Sequence, residues 1–117
     1  MFTKADLEQF IGTSCYYRHW LNRFVMTEGA YYIFEQGGAW IVDAIASYQT
    51  QKLLSDPMLR DFQLWELQVN ANRTAILKCL RDTDDVVLQQ EIAFTDFPLN
   101  KIKFYLVEGV LLLPSEY

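Results

Sequence analysis

Hydrophobic positions repeat along this chain at two different periods, and the change falls near Phe62. In the first half, Leu7, Phe10 and Ile11 recur at helical spacing. They follow Thr3-Lys4-Ala5-Asp6, which has the form of an N-cap with an acid at the third helical position. This predicts a short helix over residues 4–11, with Gly12 as its stop. Residues 13–20 and 23–27 are rich in aromatic side chains and read as a hairpin turning near Asn22. Residues 28–36 read as a second short helix, with Glu28 in the first turn, where the helix dipole favours an acid, and Gly37-Gly38 as its end. Residues 39–48 are apolar almost all round. Their alanines argue for a helix rather than a strand, and the missing polar face argues for a buried one. The pattern predicts that helix over residues 40–54, closed by Pro57.

Beyond that point the period becomes two. Phe62, Leu64, Glu66, Gln68 and Asn70 alternate with Gln63, Trp65, Leu67, Val69 and Ala71. Asn72 offers a turn, residues 74–80 alternate again, and Asp82, Asp84 and Asp85 cluster around Thr83 in a second turn. Residues 86–95 continue the meander until Pro98 breaks it, and residues 102–106 and 110–113 flank the turn signal Glu108-Gly109. Helices early and strands late predict one α+β domain: an antiparallel sheet of four to six strands with a central buried helix packed on one face.

Composition narrows the function classes. Of 117 residues, 51% are hydrophobic and 15% aromatic, which excludes a disordered or low-complexity chain. Ten basic residues against fifteen acidic ones leave a net charge of −5, the wrong sign for a free-standing nucleic-acid binder. Lys4, Asp6 and Glu8 interrupt the first dozen positions, against a secretory leader. No apolar run reaches the roughly 18 residues of a membrane helix, so a cytoplasmic protein without a membrane partner is expected. Cys15 and Cys79 then read as thiols packed in apolar surroundings. Two cysteines and one histidine lack zinc-ligand spacing, and Gly37-Gly38 lacks the Lys-Ser/Thr of a phosphate loop. No metal or cofactor is expected.

The candidate functional or buried polar residues are few. His19 is the single histidine and sits between Arg18 and Trp20; its imidazole suits a general base, with Asp43 or Asp96 as orienting acid and Ser14, Ser47 or Cys15 as nucleophile. The structural alternative is a hairpin histidine. Asp43 lies inside the most apolar helix, where an unpaired charge is costly. It is expected either to lock that helix to Arg18 or a tyrosine hydroxyl of the first hairpin, or to line a small polar pocket with Ser47 and Gln49. Tyr16, Arg18 and Trp20 fall on one face of the first strand, and a single aromatic face is more often core than a base-stacking platform. Asp96, before Phe97-Pro98, reads as a turn residue accepting a backbone N–H. Glu116 and Tyr117 close the chain after an apolar run, with Tyr117 expected to dock by its ring.

Fragments of the chain are also distinctive together: Phe10-Ile11-Gly12-Thr13 leading to Tyr17-Arg18, the stretch from Trp40 to Gln49, Trp65-Glu66-Leu67, Thr95-Asp96-Phe97-Pro98-Leu99, and Leu111-Leu112-Leu113-Pro114-Ser115-Glu116-Tyr117. In this order they resemble a bacterial domain family of unknown function that is also carried on plasmids and by phages. The resemblance implies one compact domain of bacterial or mobile-element origin and assigns no activity. Three function classes remain open: a protein-interaction or accessory module of such an element, pairing with itself as a homodimer or with another protein; an acidic inhibitor or decoy of a nucleic-acid enzyme; and a small enzyme using His19 or Asp43.

Overall fold

The computed structural model describes residues 2–11, 15–81 and 84–117. The expected stop at Gly12, the candidate nucleophile Ser14 and the turn at Asp82-Thr83 lie outside the described residues. Helix α1 (Lys4–Glu8) opens as its sequence predicts: the Asp6 carboxylate reaches back to accept the Thr3 N–H at 2.8 Å. It ends earlier than expected, with Gln9 at its C-cap.

The hairpin of β1 (Tyr17–Arg18) and β2 (Val25–Met26) comes next. Asn22 sits in its turn with φ at +61°, a left-handed conformation that asparagine tolerates better than most residues. Helix α2 (Glu28–Ile33) starts at Thr27, whose hydroxyl accepts the Ala30 N–H. Gly37-Gly38 ends this helical stretch as expected: Gln36 (φ −100°, ψ 27°) and Gly37 (φ +104°) leave helical geometry, and Gly38 becomes the N-cap of α3 (Ala39–Ser47). The long helix expected over residues 40–54 is broken. Tyr48 and Gln49 leave α3, Thr50 caps the short α4 (Gln51–Leu54), and Pro57 opens α5 (Pro57–Asp61) instead of closing a helix. Proline suits a first helical position because its missing N–H is an orphan there anyway. Asp56 supplies the cap by accepting the Met58 N–H at 3.0 Å.

Strands β3 (Phe62–Val69), β4 (Ala75–Leu80) and β5 (Val86–Ile92) form the expected meander, and β6 (Lys101–Val107) and β7 (Val110–Leu112) form a hairpin around Glu108-Gly109. Glu108 at φ +49° and Gly109 at φ +82° are the pair of left-handed residues that a two-residue hairpin turn requires. The sheet has seven strands in the order β1-β2-β7-β6-β3-β4-β5, more than the four to six expected. It is mixed rather than purely antiparallel, because β2 runs parallel to β7, with Val25 beside Val110 and Met26 beside Leu111. Strands β1 and β2 are only two residues long, too short to show a period in sequence.

One face of the sheet carries the core. Trp65, Leu67 and Val69 of β3, Ala75, Leu77 and Cys79 of β4, and Ile102, Phe104 and Leu106 of β6 pack against Ala30 and Ile33 of α2, Ile41, Val42, Ile45 and Ala46 of α3, and Leu59 of α5. The central helix on one face is therefore as the alternation requires. Where α3 ends, Gln49 and Gln63 exchange two amide hydrogen bonds of 2.8 Å, and the Trp65 indole N–H donates to Gln63 Oε1 at 2.7 Å. These buried amides also reach the Ile45 and Leu59 carbonyls, so a polar knot sits inside the core with its donors satisfied. Arg81 joins the end of β4 to the Asp56 cap and to Asp85. The guanidinium beside it holds the Asp56 carboxyl below its ordinary range. Among the described residues no helix is long and apolar enough to cross a membrane.

Burial pushes the Cys79 thiol up to about 12, whereas Cys15 is exposed. Thiolate, not thiol, is the nucleophile. Iodoacetamide at pH 8 is therefore expected to label Cys15 in the native protein, and Cys79 only after urea unfolding. Equal labelling of both thiols in the native state, read by peptide mass spectrometry, would contradict the packing of β4.

Candidate functional site

The turn after β1 folds back onto α3, and three side chains meet there. Asp43 Oδ1 lies 2.7 Å from His19 Nε2 and accepts the Trp20 indole N–H at 2.8 Å. The Leu21 N–H donates to His19 Nδ1 at 3.1 Å, which requires an unprotonated Nδ1. The ring proton is thus on Nε2 and points at Asp43. His19 is buried against Phe24 and Phe34, with ring centroids at 5.2 and 5.8 Å. Both of its nitrogens are engaged inside the fold, an arrangement that orients a ring rather than presenting a base.

Asp43 does turn to the first hairpin, as expected, but not to Arg18 or a tyrosine hydroxyl. Arg18 donates instead to Asn22 Oδ1 at 2.8 Å, bracing the turn. The carboxylate is not a deeply buried charge either: the Asp43 side chain is 37% exposed. Its position on α3 explains this, since Ile41, Val42, Ile45 and Ala46 form the buried stripe and Asp43 lies beside it.

The other candidates separate. Ser47 is exposed and its hydroxyl donates to the Ala44 carbonyl of its own helix, and Gln49 belongs to the knot with Gln63. Asp43, Ser47 and Gln49 therefore do not share a pocket. At the turn before Pro98, the backbone acceptor is Thr95, whose hydroxyl takes the Phe97 N–H at 3.1 Å. Asp96 is exposed. Thr95 is the better-placed residue because Arg73 grips the same turn through the Thr95 and Phe97 carbonyls, at 2.9 and 2.7 Å.

Glu116 makes a second clasp. Its Oε1 accepts the Thr27 hydroxyl at 2.6 Å and the Leu113 N–H at 3.0 Å, and its Oε2 accepts the Gly29 N–H at 3.1 Å. The end of the chain thus satisfies the donors at the start of α2, where a negative charge is favoured. A Cβ on Gly29 would stand 2.5 Å from Glu116 Oε1 and 2.8 Å from Leu113 Cδ1, so the contact requires glycine. Tyr117 sets its ring edge-on to Tyr105 and Phe62, with centroids at 5.1 and 6.0 Å, on the sheet face away from the helices, but it stays 73% exposed and is not packed away.

The surface beside the Asp43 clasp is aromatic. Tyr16 and Trp20 are exposed, against the expectation that their face of the strand is core, and Tyr17 is exposed beside them. Tyr17 stacks on Tyr31 at 3.9 Å, Tyr31 stacks in turn near Phe34, and Glu35 bonded to the Tyr31 hydroxyl raises its pKa. Trp20 is 68% exposed, yet its indole is held by Asp43. The signal available in the sequence was the density of aromatic residues around His19, which periodicity alone assigned to the wrong side. A family model described as a family of unknown function (DUF6876) matches residues 1–117. The chain belongs to that family. No curated protein and no solved structure matches it. Family membership covers the clasp, the aromatic patch and the Glu116 contact alike, and names no chemistry for any of them.

Two substitutions test the clasps. Asp43→Ala leaves the buried His19 Nε2–H without an acceptor and is expected to cost about 1–3 kcal/mol. Asp43→Asn keeps an acceptor oxygen and is expected to cost less. Urea melts that place both variants on the wild-type curve would remove the clasp from the account of stability. Gly29→Ala, forced against Glu116 and Leu113, is expected to destabilise by about 1–3 kcal/mol in the same assay.

Proposed function

We propose that this chain is a small cytoplasmic protein-interaction module, an accessory of a bacterial mobile element or phage, and that the patch around Trp20 is where its partner protein docks. One observation carries the reading: Trp20 is largely exposed while its indole N–H is pinned to Asp43. A tryptophan fixed in one rotamer loses little further freedom on binding, and ordering of interface side chains is one of the costs of association. Tryptophan, tyrosine and arginine dominate the energetics of interfaces, and Tyr16, Tyr17 and Arg18 flank it. On this reading His19 and Asp43 are positioning residues. The mobile-element origin rests on the motif resemblance.

Self-association is the second reading, favoured by a different observation. Strand β5 is an outer strand of the sheet, and its sequence Val-Val-Leu-Gln-Gln-Glu-Ile contains no proline and no lysine. Those are the residues that usually guard an open edge.

The test is pull-down of tagged wild-type and Trp20→Ala protein from the native host, followed by titration of the recovered partner. Loss of an interface anchor of this type typically costs about 2–4 kcal/mol of binding, so a drop in affinity of roughly thirtyfold or more is expected. The stability change should stay near the value of one exposed hydrogen bond, about 1 kcal/mol. Recovery of the same partner with equal affinity by both proteins would reject the patch. Sedimentation showing a dimer that Gln89→Pro dissolves would favour the second reading.

A further inference from the structure

We propose that the groove alongside the first half of β6 receives an extended peptide segment of alternating acidic and apolar residues, added to the sheet as a strand antiparallel to β6. This goes beyond the Trp20 reading and concerns a separate surface.

The groove exists because β7 stops early. Strand β6 pairs with β3 along its whole length, from Val107 opposite Phe62 to Lys101 opposite Gln68. On its other side β7 covers only Tyr105, Leu106 and Val107. Pro114 then opens a 3-10 turn (Pro114–Glu116), and the Glu116 clasp draws the chain away toward α2. The missing length of strand leaves a groove of about 740 Å³. Leu7 of α1, Leu99 and Leu113 line it from the core side; Lys101 and Lys103, which alternate with the core residues Ile102 and Phe104, line it from the other, and Lys4 is also in its lining.

The backbone on its floor is unpaired. The Val69 N–H donates to the Asn100 carbonyl at 2.7 Å, so Asn100 turns its polar groups toward β3. In an antiparallel ladder these directions alternate. Ile102 and Phe104 therefore also bond toward β3, while Lys101 and Lys103 direct their N–H and C=O into the groove. Among the described residues no backbone hydrogen bond reaches them from that side. The open run, residues 101–104, is about 13 Å long at a strand's rise per residue, enough for a segment of about four residues. Strand addition of this kind takes its affinity from main-chain bonds and its specificity from alternate side chains.

The chemistry of the occupant is set by the two walls. Paired residues of an antiparallel ladder share a face, so the residues bonding to Lys101 and Lys103 put their side chains beside those lysines. The residues between them face Leu7, Leu99 and Leu113. Three lysines line the groove and face two nearby glutamates, Glu8 in its lining and Glu66 on β3, so the groove is locally positive in a chain whose net charge is −5. Lys101 is 52% exposed, and its ion pair with Glu66 at 3.5 Å leaves most of its surface open. At physiological ionic strength charges beyond about 8 Å are screened, so the local lysines outweigh the acidic remainder of the molecule. Carboxylates fit the lysine side, and branched aliphatic side chains fit the other.

The probe is a fluorescein-labelled, amidated hexapeptide of alternating glutamate and valine, titrated against the full chain by anisotropy. Binding is expected to weaken at least tenfold when glutamate is replaced by lysine, and at least tenfold for the Lys101→Gln/Lys103→Gln double variant, whose fold is checked by its thermal melt. N-methylation at the glutamates should abolish binding, because it removes the N–H groups aimed at β6, whereas N-methylation at the valines should leave it within about threefold. This contrast needs no altered protein. Trp20→Ala should bind the probe as wild type does, so failure here and failure of the Trp20 patch are separable. Equal binding of the lysine peptide, indifference to N-methylation at glutamate, or no binding of the glutamate–valine probe at millimolar concentration would each overturn the proposal. A dimer dissolved by the double lysine variant, with no peptide binding, would overturn it in favour of a second copy of the chain.

Discussion

A strand of two residues cannot hold itself in a sheet, and the hairpin that carries Trp20 is made of two of them. Isolated two-stranded ribbons are marginal in water even when they are much longer. The β1–β2 hairpin therefore depends on contacts outside its own ladder. Among these are the parallel pairing of β2 with β7, the single carboxylate oxygen of Asp43 that receives both His19 and Trp20, and the stacking of Tyr17 on Tyr31. The second contact explains why a charged residue is tolerated beside the buried stripe of α3. It also couples the interior to the surface, since the same oxygen that satisfies a buried imidazole fixes an exposed indole.

The opposite end of the chain repeats the principle. Strand β7 is three residues long, and the 3-10 turn after it secures its position. Glu116 closes on Thr27, Gly29 and Leu113, and Ser115 reaches the Leu7 carbonyl. The first helix, the second helix and the last strand are thereby held by one short turn. Because that turn leaves the line of β7, it also uncovers half of β6. The clasp and the groove are two consequences of the same proline-led change of direction.

Polar side chains, buried or half-buried, tie the elements together at their joints. Gln49 and Gln63 close the end of α3, Arg73 secures the Thr95 turn, and Arg81 ties the start of α5 to the β4–β5 connection. The surface aromatic residues are placed differently. Tyr16, Tyr17 and Trp20 collect at one corner of the sheet, and Phe94, 70% exposed, lies at the opposite edge beyond β5.

Periodicity in the sequence determined the α+β class, the meander from Phe62 to Ile92, the β6–β7 hairpin and the burial of α3, because each of these is a long enough run for one face to be read. It singled out Asp43 as a charge beside an apolar stripe, with either the first hairpin or a small polar pocket as its surroundings. It did not determine the break at Tyr48 or the helix that Pro57 opens. Those depend on caps and φ values that the same residues satisfy in several ways. It located the β1–β2 hairpin around Asn22 but not the parallel pairing of β2 with β7, which is non-local and only two residues long. The partners of Asp43 and Glu116, the outward turn of Trp20 and the groove beside β6 were decided by tertiary structure alone. Each is a meeting of segments 23 to 89 positions apart, or the absence of one, and no local pattern in the chain encodes such a distance.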